Sequence, residues 1–297
     1  MSDVLILGAT GTTGRRVSAF LAARGITTRL ASRSPGSDPA RVRFDWTEPS
    51  THADAVAGVR AIYLVAPVGV HDPVPLVEPF LQLARRHGVR RVVALGSSAV
   101  PEADAGMGGI YRAVRAIMPE WTVLRPSWFM QNFVGEHALA RGVHDGEIVS
   151  ATARGRIGFI DAGDIAAVAG HALIDEIAHN TEHVLTGPRA LGYDEAARII
   201  SESTGRRVRH RSIPADELAR RWEARGLAPE FAAMLAALDE DIGRGGEDRV
   251  TDTVVRITGR TPRAFAEFVE REMIPGRSIN SRGGRTCRVR RIRRACG

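Results

Sequence analysis

The sequence predicts a doubly wound, parallel α/β sheet with a smaller C-terminal lobe, and three observations carry that expectation. Short apolar runs alternate with stretches of helical spacing through the first 127 residues. The first apolar run leads straight into a glycine-rich turn and then a helix-like stretch. From about Trp128 onward the alternation gives way to loops and isolated helices.

Val4-Leu5-Ile6-Leu7 reads as a buried strand, and Arg15 to Arg24 as a helix stopped by Gly25. A second strand covers Ile26 to Ala31, and Arg43-Phe44-Asp45-Trp46 forms a third before a helix that starts near Pro49. Ala61 to Val65 is a strand ending at Ala66-Pro67. In Pro73 to His87 the apolar residues Val74, Val77, Leu81 and Ala84 keep helical spacing, with Gly88 as the stop. Arg91 to Leu95 is the next strand, closing at Gly96-Ser97-Ser98. Helical Tyr111 to Met118 then precedes strand Trp121 to Leu124, which ends at Arg125-Pro126. Residues 1–127 therefore form the main domain and 128–276 mainly the second lobe. Ile157 to Ile160 and His183 to Leu185 are expected to return to the main sheet, near 157–186. Asp161-Ala162-Gly163-Asp164, ahead of Ile165 to Leu173, reads as a helix start whose carboxylates cap rather than catalyse.

Ligands of such sheets bind at the carboxyl ends of the strands, here the loops holding Gly8, Arg33, Ala66, Ser97 and Pro126. The run Gly8-Ala9-Thr10-Gly11-Thr12-Thr13-Gly14 has the character of a phosphate cradle. Gly11 lets backbone approach a pyrophosphate, Gly14 lets the helix sit close to the sheet, and the helix N-terminus faces the phosphate charge. The spacing is G-x-x-G-x-x-G, where the dinucleotide fingerprint is usually G-x-G-x-x-G. At the end of the second strand, Ser32-Arg33-Ser34 stands where an NAD site places an acid for the ribose 2′-hydroxyl. A serine hydroxyl and the planar fork of Arg33 suit a 2′-phosphate instead, so the expected cofactor is NADPH. Asp45 can accept from the adenine amino group or cap the following helix; the sequence leaves both open.

Composition narrows the classes further. The 297 residues are 44% hydrophobic, enough for a full core, with no run long enough to span a bilayer and no signal-peptide pattern at the start. No membrane association and cytoplasmic residence are expected. Both cysteines, Cys287 and Cys296, fall in the last stretch, and the nine histidines show no H-E-x-x-H spacing, so no metal is expected. The net charge of +7 belongs to residues 277–297, which carry eight arginines and no acid, leaving the rest at −1. That tail is expected to be disordered, and nucleic acid is not the expected partner, because no aromatic residues interleave its charges. All 41 basic residues are arginine, so a mechanism that needs a lysine is excluded. The oligomeric state is not set by the sequence.

GATGTTG (8–14), VVALGSSA (92–99), Thr122 to Phe133, Phe159 to Ala169 and Leu185 to Pro214 together resemble the NmrA-like branch of the atypical short-chain dehydrogenases/reductases. The likeness is closest to its ergot-alkaloid-biosynthesis-type reductases and runs to about Pro275. It implies a Rossmann-like NAD(P)-binding domain, a small C-terminal lobe and a cleft between them. It assigns Gly8, Thr10, Gly11 and Gly14 to the phosphates, Arg33 to the 2′-phosphate and Ala66-Pro67 to the adenine-ribose side. Pro126, Trp128, Phe129 and Asn132 fall on the nicotinamide and substrate cleft, with Phe133 beside them; Trp128, Phe129 and Phe133 could instead pack the lobe interface, and cleft contact is the expectation because the run follows a strand's carboxyl end. Thr12, Thr13, Ser32 and Ser97 complete the expected cofactor contacts.

The wider superfamily uses a serine and then Tyr-x-x-x-Lys. Here Ser97 or Ser98 is followed by Tyr111-Arg112-Ala113-Val114-Arg115, which puts Arg115 in the lysine's place at i, i+4. Arginine cannot carry a proton, its pKa being above about 12. The expected activity is an NADPH-dependent reduction of a C=N, C=C or C=O bond of a small metabolite, with Ser97 and Tyr111 as candidate catalytic residues. The alternative is an NAD(P)-sensing regulatory protein with little or no catalysis.

Overall fold

A computed structural model of the chain describes residues 3–274. The elements, in order, are β1 (Val4–Ile6), α1 (Gly14–Ala22), β2 (Thr28–Ser32), β3 (Arg41–Arg43), α2 (His52–Val56), β4 (Ala61–Val65), α3 (Val74–Arg86), β5 (Arg91–Leu95), α4 (Gly106–Ile117) and β6 (Glu120–Pro126). After them come α5 (Ala138–Asp145), β7 (Glu147–Ser150), α6 (Ala162–Ile174), β8 (Thr181–Leu185), α7 (Tyr193–Thr204) and β9 (Arg209–Ser212). The last four are α8 (Ala215–Glu223), α9 (Pro229–Gly243), α10 (Thr253–Thr258) and α11 (Phe265–Glu272).

Seven strands pair in parallel in the order β3-β2-β1-β4-β5-β6-β8. This is the Rossmann-like arrangement. The order runs one way from β1 to β3 and the other way from β4, so a crevice opens between β1 and β4 at the carboxyl edge. Successive strand residues point to opposite faces. Leu5, Ile62, Leu64, Val92, Ala94 and Val123 therefore pack under α3 and α4 with Phe80, Ile110 and Val114. Val4, Ile6, Ala61, Tyr63, Val93 and Leu124 pack under α1 and α6 with Val17, Leu21, Ile165 and Val168. Close contact between those two helices requires a small residue: a Cβ on Gly170 of α6 would collide with the Phe20 ring.

A second core gathers Met130, Phe133, Ile148, Ile157, Phe159, Tyr193, Ile200, Phe265 and Phe268. Beside it β7 and β9 form a two-stranded parallel sheet that the polar sequence Arg209-His210-Arg211-Ser212 gave no reason to expect. Of the two expected returns to the main sheet, His183 to Leu185 lies in β8 beside β6. Ile157 to Ile160 does not join it. Those residues make isolated bridges, Ile160 to Phe129 and Ile157 to Leu191, and their apolar side chains divide between the two cores. The third strand ends three residues earlier than its apolar pattern suggests, because Phe44 and Trp46 turn away to pack with His52 and Phe80. The expected tail, 277–297, lies outside the described residues. No helix among the described residues is long and apolar enough to cross a membrane.

Gly14 makes a close backbone approach: a Cβ there would overlap the Gly8 carbonyl oxygen and lie 2.8 Å from its carbon. Gly25 has φ +73° but open space around it. Gly25→Ala should therefore cost only the left-handed penalty, roughly 1–2 kcal/mol. Gly14→Ala must push α1 off the sheet and should cost about 3 kcal/mol or more. Thermal melts of the two variants check this; equal losses would refute the close-approach argument.

Asp239 of α9 is buried, and its carboxylate accepts a hydrogen bond from the Ala151 amide at 2.9 Å. Desolvation outweighs that bond and lifts the carboxyl from 3.8 to about 6. The folded protein thus holds this proton more tightly than the unfolded chain, so stability falls as pH rises from 3.8 to about 6 and the penalty is complete above that interval. Asp239→Asn should stabilise by up to about 3 kcal/mol above the interval and change little below it. Melts on either side of the interval decide; a gain of equal size in both would contradict the titration.

Candidate functional site

Parallel pairing brings the carboxyl ends of β1, β2, β4, β5 and β6 to one edge, with the expected cofactor residues on the loops that follow. Beyond β1 the chain turns at Gly8, whose φ of +65° is a left-handed conformation that glycine adopts without strain. The Gly11 amide donates to the Gly8 carbonyl at 2.9 Å, closing the turn. The close approach of Gly14 then seats the first turn of α1 against it. Thr13, the N-cap, makes no side-chain cap, and the first turn contains no acid. The end of the helix dipole therefore stands open beside the exposed backbone of Gly8, Thr10 and Gly11, with Thr12 half-buried beside them. A Cβ at Gly14 would destroy this cradle. The residues present fit a dinucleotide pyrophosphate.

At the end of β2, the Ser32 hydroxyl bonds the Ser34 backbone and the Arg33 side chain is exposed. The neighbouring turn after β3 holds Asp45, which accepts from the amide and hydroxyl of Thr47 at 2.9 and 2.8 Å. Those two bonds, with the charges of Arg33 and Arg43, hold its carboxyl below the usual range. Of the two roles left open for Asp45, capping the next helix is not observed; it fixes its own turn instead. Ala66 is buried and Pro67 half-buried at the end of β4.

The segment after β6 joins the two cores. Pro126 is buried, Trp128 packs on the second core, and Phe129 packs on the core beneath α1 and α6. Backbone bonds of 2.9 Å from Ile160 to Trp128 and from Met130 to Ile160 hold the crossing. Asn132 is half-buried, and its carboxamide makes no hydrogen bond among the described residues. Of the two roles left open for Phe133, packing is the one observed: it is 2% exposed and wedged among Phe159, Tyr193 and Phe265 in the second core.

Tyr111 is buried as well. It is 1% exposed, its hydroxyl accepts from the Ser97 amide at 2.8 Å, and burial raises its pKa. The i, i+4 pairing with Arg115 does not form, since Arg115 reaches Glu102 instead. Arg125 lies 5.8 Å above the Tyr111 ring and also bonds the carbonyls of Ser97, Ser98 and Val100. As placed, Tyr111 holds the backbone of the β5 loop, and the Ser97 hydroxyl accepts from the Ala99 amide.

Sequence reasoning missed two buried carboxylates that brace the segment after β6. Asp161 caps α6 through the Gly163 amide, as expected, but also accepts from Gln131 at 3.0 Å and pairs with Arg263 at 2.8 Å. Glu247, 2% exposed, accepts from the hydroxyls of Ser98 and Ser127 at 2.7 and 3.1 Å and pairs with Arg249 at 2.6 Å. In sequence its surroundings, Gly245-Gly246-Glu247-Asp248-Arg249, look like an exposed charged loop. A cavity of about 590 Å³ in the second lobe is lined by Arg154, Arg156, Arg198 and Asp194. None of its lining residues belongs to the strand-end loops, and Arg156 and Arg198 already have acidic partners. No group of three or more His, Cys, Asp or Glu among the described residues could hold a metal.

A family model described as NAD(P)H-binding matches residues 8–176. An uncharacterized oxidoreductase, YesF, of Bacillus subtilis is 49% identical over 90% of this chain and 94% of its own length. Agroclavine dehydrogenase of Claviceps fusiformis is 36% identical over 90% of this chain and 96% of its own. Among solved structures, triphenylmethane reductase of Citrobacter, complexed with NADP(H), superposes with a TM-score of 0.76 at 22% identity, covering 91% of this chain and 99% of that one.

With its hydroxyl engaged by Ser97, Tyr111 should behave as a structural residue. Tyr111→Phe leaves the Ser97 amide without an acceptor and should cost about 1–3 kcal/mol of stability. Reduction of an already cationic substrate should stay within about threefold of the parent, because proton donation is not needed there. Melting and steady-state kinetics of Tyr111→Phe measure both, and a rate loss of about a hundredfold on a ketone would reinstate the tyrosine as an acid.

Proposed function

Because the chain belongs to the NAD(P)H-binding, NmrA-like branch of the atypical short-chain dehydrogenases/reductases, grouping with the ergot-alkaloid reductases, and is an NAD(P)H-dependent oxidoreductase, we propose that it uses NADPH to reduce a C=N, C=C or C=O bond of a small, largely apolar metabolite. The observation that carries this reading is the open, acid-free N-terminus of α1 beneath the Gly8–Gly14 turn, on the same edge as Arg33.

The amides of the glycine turn and α1, with Thr10, Thr12 and Thr13, hold the pyrophosphate. Ser32 and Arg33 hold the 2′-phosphate, a charge-assisted pairing that NADH cannot offer. Asp45, Ala66 and Pro67 take the adenine-ribose side, and Ser97 and Pro126 the nicotinamide side. When bound, the nicotinamide supplies a hydride. Trp128 and Phe129 wall the site against water, and the Asn132 carboxamide orients the substrate. The placement of Tyr111 favours a substrate that needs no proton donor, and an iminium is such a substrate. Relatives named agroclavine dehydrogenase and festuclavine synthase accord with a small-molecule substrate, and one named NAD(P)H azoreductase with NAD(P)H as the reductant.

Oxidation of NADPH in the presence of iminium, quinone and enone substrates tests the reading, with turnover expected on the iminium. No turnover on any class would refute it. Arg33→Ala should weaken NADPH by about 1.5–3 kcal/mol, roughly 10- to 150-fold, while leaving NADH unchanged. Titration of both cofactors measures this, and an unaltered NADPH/NADH preference would remove Arg33 from the site.

A further inference from the structure

We propose that Glu247 is a positioning residue for the reduction: it fixes the spacing between the ends of β5 and β6, and with it the nicotinamide side of the cleft. This rests on the reductase reading above. The carboxylate comes from the loop between α9 and α10 and is buried against residues 149 and 120 positions earlier in the chain. A single oxygen, Oε2, accepts from Ser98 Oγ at 2.7 Å and from Ser127 Oγ at 3.1 Å. The other, Oε1, takes Arg249 Nη2 at 2.6 Å, and the same Nη2 donates to the Ser98 carbonyl at 3.2 Å. Both serines are buried.

A buried carboxylate is a poor device for stability alone. Its desolvation offsets much of what its partners return, and a well-packed apolar side chain would hold two loops together at least as well. What the carboxylate adds is direction: two hydroxyls must converge on one oxygen at hydrogen-bond distance, and the guanidinium keeps that oxygen's partner in place. The residues so fixed are the neighbours of the reacting end. Ser98 follows Ser97, and Ser127 lies between Pro126 and Trp128. The amide of Ser98 also bonds the Pro126 carbonyl at 3.0 Å, so a shift of either loop moves the other.

Topology limits the reach of the effect. The phosphate cradle stands on β1, while β5 and β6 lie two and three strands away, about 10–15 Å at the usual strand spacing. Loss of the Glu247 contacts should therefore disturb the nicotinamide end and spare the phosphate end. Glu247→Gln keeps an acceptor but turns an amide group toward Arg249; Ser127→Ala removes one hydrogen bond and nothing else. Each is compared with the parent for NADPH affinity by titration, for the emission of bound NADPH, and for kcat and KM on the substrate class that the parent reduces. The expected result is an NADPH Kd within threefold of the parent, a kcat lower by tenfold or more, and altered emission of the bound nicotinamide. Ser98→Ala combined with Ser127→Ala should lose less than the product of the single losses, because both hydroxyls share one oxygen.

Unchanged kcat and emission with only a lower melting temperature would overturn the proposal in favour of a structural brace. So would a loss in Kd as large as the loss in kcat. Should Glu247→Gln fail to fold, Ser127→Ala and Ser98→Ala carry the test. If the parent binds NADPH but reduces nothing, the reductase reading fails on the parent alone, and the emission of bound NADPH in the variants still decides whether Glu247 sets the nicotinamide end.

Discussion

The contact between Gly14 and the Gly8 carbonyl is the constraint on which the rest of the main domain depends. It brings the first turn of α1 down onto the end of β1, and that single approach exposes the amides of the glycine turn and fixes the tilt of the helix. With α1 set, α6 can lie beside it through Gly170, and the two helices together cover Val4, Ile6, Tyr63, Val93 and Leu124. The anion site and the hydrophobic core are thus two outcomes of one steric condition, and neither can be altered alone.

Arginine serves as the cement of this protein, which has no lysine. A planar fork with several donors can satisfy several carbonyls at once, a task a point charge on a flexible stem performs poorly. Arg125 gathers three carbonyls of the β5 loop and a carboxylate. Arg91, nearly buried, bonds the carbonyls of Ala172, Leu173 and Asp175 at the C-terminal end of α6 and pairs with Glu120. Arg249 and Arg263 do the same for the two buried carboxylates, so the segment from Pro126 to Phe133 is gripped on one side by Glu247 and on the other by Asp161.

How much of this was legible follows from what each residue is responding to. The strands Ala61 to Val65 and Arg91 to Leu95 match their apolar runs to the residue, because a strand covered on both faces needs an unbroken run. The same logic misleads at Ile157 to Ile160, where the run is apolar because it passes between two cores. The strand β9 is invisible for the opposite reason: Arg209 and Arg211 earn their places by pairing with Glu147 across the small sheet, a tertiary fact. Gly8 and Gly14 could be read directly, since what they do depends on local backbone. Tyr111 could not, because spacing along a helix says which residues share a face and nothing of whether that face is buried. Glu247 owes its meaning wholly to partners more than a hundred residues away.

The position of α6 and β8 in the chain has a consequence for how the protein is made. The face of the sheet beneath α1 is closed by Ile165, Ala166, Val168, Ala169, Ala172 and Leu173 of α6 and by Leu185 of β8, which all follow the first crossing into the second lobe. A nascent chain that has just completed β6 therefore presents the part of this face that α1 does not reach uncovered. About 59 further residues must emerge before that face can close, an interval of roughly 3–12 s at the usual pace of synthesis. During it the dinucleotide unit is an apolar surface awaiting its own lid, open to chaperones and to association with other nascent chains, so vectorial synthesis rather than final stability is the stage at which this topology is most exposed.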